Sequence, residues 1–230
     1  MPDKATLRER IARRLFLRSL FLPFALFAPA DTVKFWQGWA FLAVTVALPS
    51  CLEIYLYHRD PQVLARRLLS KEKRRLQKII MLFARALYIV VLVLAGWDFR
   101  FGWTRQLPWP EPVWLSVIAL AVIVATDIWF IVVLEANRFA ASVLHVESGQ
   151  TLAAAGPYRL VRHPMYLGML LKWLAIAPAL GSFVAWPACF LVIPVFVLRI
   201  LNEEELLRRE LPGYAQYCRQ TPQRLIPFIW

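Results

Sequence analysis

Residues 112–135 read PVWLSVIALAVIVATDIWFIVVLE, with Asp127 as the one charge inside the run and Glu135 at its edge. A helix of this length reaches about 36 Å, enough to cross a hydrocarbon core of about 30 Å. Comparable apolar runs cover residues 36–57 and 79–97, and shorter ones cover 15–30, 164–180 and 182–200. The 230-residue chain is 60% hydrophobic with a mean hydropathy of +0.53, where soluble domains sit near 45–50%. The expected class is an all-α integral membrane protein. About six (five to six) transmembrane helices are predicted, including a C-terminal helical hairpin, together with cytoplasmic interfacial helices.

A net charge of +12 would suggest nucleic acid in a soluble protein. Its distribution points elsewhere. Of the 27 Lys and Arg residues, 22 fall in residues 1–18, 58–78, 136–163 and 199–230. The alternate loops hold only Lys34, Arg100 and Arg105. By the positive-inside rule both termini are cytoplasmic, and the protein is a multi-pass protein of the cell (inner) membrane whose main partner is the bilayer. No nucleic-acid partner is expected. Residues 19–30 with Ala28-Pro29-Ala30 loosely fit a signal-peptide core and cleavage site. The long basic leader favours a retained segment that crosses or lies along the membrane. Cys51, Cys189 and Cys218 have no paired spacing, so neither a disulfide framework nor a metal site is implied.

The chain divides into residues 1–135, the N-terminal helices, and 136–230, a polar loop followed by the hairpin and a tail. Leu64, Leu68, Leu69, Leu76 and Ile80 recur near helical spacing among many cations. This predicts one interfacial helix over 62–80. Trp103 and Trp109 belong to the interfacial aromatic belt of the opposite face. In the second half, two apolar stretches are separated only by Gly181-Ser182. A tight hairpin there must bring His163–Tyr166 and Arg199–Glu204 to the same membrane face.

Chemistry concentrates at that meeting point. Residues 156–168 read Gly-Pro-Tyr-Arg-Leu-Val-Arg-His-Pro-Met-Tyr-Leu-Gly. Pro164 suits the first turn of a helix. The free N–H groups there, with Arg162 and His163, would make an anion site. Tyr158 and Tyr166 can stack on a purine or face a cation. Arg199 and Glu203, four apart, share a helix face near the hydrocarbon boundary, where ionisable groups are functional candidates. Glu53, Arg85, Asp127 and Lys172 are further intramembrane charges that pair with one another or line a cavity. No Gly-rich phosphate loop, His-Glu-x-x-His or Gly-x-Ser-x-Gly occurs, which argues against ordinary soluble nucleotide or hydrolase chemistry.

The segment 156–168, then Arg199-x-x-x-Glu203-Glu204, then Leu211-Pro212-Gly213-Tyr214-x-x-Tyr217 and Arg224-Leu225-Ile226-Pro227, resembles the isoprenylcysteine carboxyl methyltransferase family. That family belongs to a wider group of membrane methyltransferases that includes phospholipid N-methyltransferases. The resemblance covers roughly residues 137–230; the first half is similar only in hydropathy. It implies S-adenosyl-L-methionine as methyl donor, contacted by Tyr158, His163, Pro164, Met165 and Tyr166. Gln150, Thr151, Leu152 and Ala153 would lie beside it, and Glu204 or Glu203 would close the pocket. His145 stands where bacterial relatives usually carry a glutamine. Arg199 would hold the acceptor's nucleophilic group with Glu203 orienting it, and no metal is implied. A carboxylate on a lipophilic, isoprenylcysteine-like acceptor is the expected target, with N-methylation of a phospholipid amine or S-methylation of a thiol as competing reactions. Two other classes remain open: an NADPH-dependent membrane reductase of the sterol reductase type, and a non-catalytic membrane protein.

Overall fold

The structure is a computed structural model that describes residues 4–69, 74–137, 139 and 151–230. Among them regular structure is entirely helical. The helices are α1 (Lys4–Ala30), α2 (Trp36–Arg59), α3 (Pro61–Leu69), α4 (Arg75–Phe101), α5 (Val113–Ala136), α6 (Pro164–Ala179), α7 (Trp186–Phe190), α8 (Val192–Glu210) and α9 (Tyr214–Gln220). Four segments are long and apolar enough to cross a membrane: α2, α4, α5 and the α7–α8 pair, Trp186–Glu210. The apolar α6 has only 16 residues, about 24 Å. Helix α1 begins at Lys4 and carries seven charges before Leu20, so its apolar part is too short to count with the four. Large side chains such as Phe16, Phe24, Leu82, Val113 and Trp114 point outward, as they do when lipid is the solvent.

Neighbouring helices pack as a closed ring in the order α1, α2, α5, α6, α8, α4 and back to α1. Two glycines permit the closest approaches. A Cβ at Gly96 would stand 2.5 Å from the Leu26 carbonyl oxygen, and one at Gly168 would stand 2.8 Å from Cδ1 of Trp129. At one end the ring is filled by Leu26, Phe35, Phe41, Leu92, Ile123, Ile176 and Leu180, with Phe35 stacked on Phe99 at 4.2 Å. There the α6–α7 turn is fastened by Asp98. Its carboxylate accepts hydrogen bonds from the Thr104 amide and hydroxyl and from the Ser182 hydroxyl. This is the end with few cations. The other end carries the basic segments and is hollow.

The single interfacial helix expected over 62–80 is two elements. Helix α3 covers Pro61–Leu69, Arg74 is extended, and Leu76 and Ile80 belong to α4; residues 70–73 lie outside the described residues. The reason is packing. Val63, Leu64 and Leu68 bury against Leu7, Leu56 and Leu134 at the end of the bundle, whereas Ile80 buries with Leu87, Tyr166 and Phe196. Helix α3 therefore plugs the basic end of the ring instead of resting on lipid alone.

Candidate active site

The shortness of α6 sets the site. Its first turn faces the middle of α8, where Tyr166 meets Arg199 and Glu203. His163 occupies the N-cap and Pro164 the first turn. Two carboxylates of α8, on adjacent residues, then take opposite roles.

Glu204, 3% exposed, is saturated. It accepts from Nε of Arg162 at 2.7 Å, from Nε of Arg224 at 3.1 Å and from Nη2 of Arg208 at 3.3 Å. Arg162 spends its remaining reach on the carbonyls of Thr221 and Pro222, at 2.8 and 2.7 Å. The Arg162 and His163 amides donate to the carbonyls of Gln223 and Arg224. The anion site expected from Arg162 at the helix start is thus already filled by a carboxylate and by the C-terminal tail. Arg162 is a clamp that laces the tail to α6. Only the pairing of residues 42 apart reveals this, and neither local sequence carries a sign of it.

Glu203 belongs to a different arrangement. It accepts from the Tyr166 hydroxyl at 2.9 Å, and that same oxygen accepts from Nε of Arg199 at 3.0 Å. The guanidinium carbon of Arg199 also lies 5.9 Å from the centre of the Tyr166 ring. Tyr166 stands between the two α8 residues expected to act together, and edge contacts with His163 and Phe196 hold its ring.

Met165, Tyr166 and Arg199 also line a half-open cavity of about 720 Å³ at the hollow end of the ring. Its walls are mainly apolar: Leu48, Leu52, Ile80, Phe130, Val195 and Phe196 among others. Lys172 and Asp127, 45 apart in sequence, form an ion pair within it with both carboxylate oxygens at 2.6 and 2.8 Å. Glu53 pairs with Arg18 at 2.7 Å and Arg14 at 3.6 Å on the opposite wall. The volume falls within the 300–1,000 Å³ of small-molecule sites.

On the other side of Met165, Tyr158 packs with Val133, Leu211, Tyr214 and Tyr217, joined by Leu152 and Ala153. Burial, partly opposed by a hydrogen bond from Asn137, pushes the Tyr158 phenol up to about 12, and burial likewise raises Tyr214 and Tyr217. These are neutral hydroxyls. Two buried polar atoms here lack a hydrogen bond among the described residues, the Tyr214 hydroxyl and Nε2 of His163. The latter lies 3.4 Å from Glu204, near enough for attraction but poorly placed for a hydrogen bond. Of the residues expected around a methyl donor, Leu152, Ala153, Tyr158, His163, Pro164, Met165, Tyr166 and Glu204 therefore lie in one contiguous region. Thr151 is exposed. His145 and Gln150 lie outside the described residues. Pro164 contributes its carbonyl, which accepts from Nε1 of Trp129 at 2.8 Å. Sequence reasoning missed Trp129 because one tryptophan in an apolar run carries no local signal. Among the described residues no group of three or more His, Cys, Asp or Glu could hold a metal ion.

Fold and site define a polytopic α-helical membrane protein with a polar cluster at the wall of an apolar chamber. The sequence model of the isoprenylcysteine carboxyl methyltransferase family matches residues 117–209 of this chain. The match runs from α5 to the end of α8 and supports a membrane methyltransferase. Two relatives share part of the sequence. The cobalt-zinc-cadmium resistance protein CzcN of Cupriavidus metallidurans is 28% identical over 136 residues, 58% of this chain and 58% of that protein. Delta(14)-sterol reductase TM7SF2 of Mus musculus is 28% identical over 86 residues, 36% of this chain and 21% of that protein. The chain thus spans less than two thirds of either relative's length.

Proposed function

We propose that the protein is an S-adenosyl-L-methionine-dependent methyltransferase that O-methylates a carboxylate on a lipophilic, isoprenylcysteine-like acceptor at the cytoplasmic membrane face. One observation carries this reading: Tyr166 and Arg199 belong both to the chamber wall and to the polar region built by residues 152–166. Donor and acceptor compartments would share that wall. The residues present fit the donor. Tyr158 and Tyr166 offer aromatic faces, Glu203 offers negative charge, and the Tyr214 hydroxyl and His163 Nε2 offer polar contacts to an adenosyl or amino-acid group.

When bound, S-adenosyl-L-methionine supplies a methyl group activated by its sulfonium charge. A carboxylate is ionised at neutral pH and needs no general base, so the work left to the protein is placement. Positioning of this kind contributes several kcal/mol, up to about 7–11. Arg199 would take the acceptor carboxylate by charge-assisted hydrogen bonds. Tyr166, fixed by Glu203, would hold the guanidinium in one orientation through its Nε–H. The chamber would take the apolar part of the acceptor from the bilayer and keep water away. An amine acceptor would find a cation, Arg199, where it needs an anion, which favours the carboxylate.

The test is transfer of labelled methyl from S-adenosyl-L-methionine to a panel of prenylcysteine analogues, phosphatidylethanolamine and thiols. Label in a base-labile ester of the prenylcysteine is expected. A parallel thermal-shift comparison of S-adenosylhomocysteine with NADPH separates this reading from that of a sterol-type reductase. Stabilisation by NADPH alone would overturn it.

A further inference from the structure

The two walls of the chamber differ in charge. The α5–α6–α8 wall presents Tyr166, Arg199 and the self-neutralising Lys172–Asp127 pair. The α1–α2–α4 wall presents Arg14, Arg18 and Arg85 with one carboxylate, Glu53. Arg18 takes the shorter contact with Glu53, and Arg14 stands 0.9 Å further off, at 3.6 against 2.7 Å. Arg67 of α3 lines the same end. Burial lowers Arg14 against the opposing charge of Glu53, and the charges of Arg18 and Arg85 add to the lowering. Burial and the charge of Arg14 pull Arg67 down to about 10.

The positive-inside rule explains cations in loops. It does not explain why three guanidiniums from two helices of a membrane bundle turn onto an apolar chamber. Cations in excess of carboxylates on an apolar wall are favoured when an anion joins them. Guanidinium is the group suited to that anion, because its planar fork matches carboxylate and phosphate oxygens.

We propose that Arg14, Arg18 and Arg85 form a second anion subsite, which holds a phosphate or carboxylate of an amphiphile whose apolar part fills the chamber. This rests on reading the chamber as the acceptor compartment. It makes the acceptor an anionic amphiphile whose charge is gripped on two walls, at Arg199 and opposite it. The second wall lies on α1, α2 and α4, outside the region that matches the family.

The experiment uses the full chain in dodecyl maltoside with saturating S-adenosylhomocysteine. Thermal midpoints are followed while dodecyl phosphate, dodecanol, dodecyltrimethylammonium or inorganic phosphate is added. Dodecyl phosphate should stabilise at concentrations at least about tenfold below dodecanol, with the cation and inorganic phosphate weaker still (tenfold is 1.4 kcal/mol). Arg85→Gln and Arg18→Gln should each cut that advantage at least about threefold and leave the S-adenosylhomocysteine shift unchanged. Equal stabilisation by dodecanol overturns the subsite. So does an anion advantage lost in Arg199→Gln but intact in Arg85→Gln. Inorganic phosphate matching dodecyl phosphate overturns the amphiphile. If Arg18→Gln unfolds because Glu53 loses its nearest partner, Arg85→Gln and the wild-type series decide. Absence of any S-adenosylhomocysteine shift beside an intact anion preference would defeat the methyltransferase reading alone.

Discussion

The two ends of the bundle solve the same problem in opposite ways. At the end poor in cations, Asp98 is buried but every bond it can make stays within the protein, to Thr104 and Ser182, and the surrounding ring is packed with Phe35, Phe41 and Leu180. At the basic end the ring is left open around about 720 Å³, and polar side chains border the space. Within that hollow end the contrast repeats on one helix. Glu204 is spent on three arginines, while Glu203 is joined to the chamber wall through Tyr166. A saturated buried carboxylate builds structure; one that ends a chain of hydrogen bonds at a cavity wall positions something else.

That contrast breaks most directly at Arg199. Arg199→Ala is expected to lower methyl-transfer turnover about 10²–10³-fold, with S-adenosylhomocysteine affinity by calorimetry held within about threefold. If turnover survives, the chamber wall is not where the acceptor is held. Glu204→Gln should act on stability instead. It leaves the buried Arg162 without its carboxylate and should cost about 3–5 kcal/mol, read as a lower thermal midpoint in the absence of any ligand. Tyr166→Phe keeps the ring and removes the hydroxyl between Arg199 and Glu203. A fall of about tenfold in turnover with an unchanged midpoint would mark it as a positioning residue, whereas a loss of stability alone would assign it to the core. Gly168→Ala forces a methyl against Trp129 and should cost about 1–3 kcal/mol by overpacking.

The smallest effect belongs to the closed end. Glu111, in the loop before α5, has its carboxyl raised from 4.5 to about 7, first by burial and also by the charge of Asp98, with Ser116 opposing. A raised folded-state value means that the stabilisation is present below pH 4.5 and is lost as pH rises through 7. The midpoint should fall over that window, and Glu111→Gln should flatten the slope.

The class of fold could be read directly, because runs such as 112–135 have only one environment in which they are stable. The convergence of His163–Tyr166 on Arg199–Glu204 followed from chain length, since two short apolar stretches joined at Gly181-Ser182 must return to the same face. Side-chain partnerships could not be read. Lys172 and Asp127 are 45 residues apart, and Arg162 and Glu204 are 42 apart; such pairs depend on helix rotation, which apolar composition all around a helix leaves undetermined. The break between α3 and α4 was hidden for a related reason. The leucine spacing runs through it unbroken, and only the neighbours at the end of the bundle, Leu7, Leu56 and Leu134, separate the two.

The clamp on the tail bears on the order of biosynthesis. Arg162 closes on the carbonyls of residues that leave the ribosome 59 and 60 positions later. The membrane helices are therefore inserted while the first turn of α6 still lacks the partners that fix it. Until residues 221–224 have been made, neither the Arg162 guanidinium nor the backbone amides of Arg162 and His163 have the carbonyl partners that tie the start of α6 to the tail.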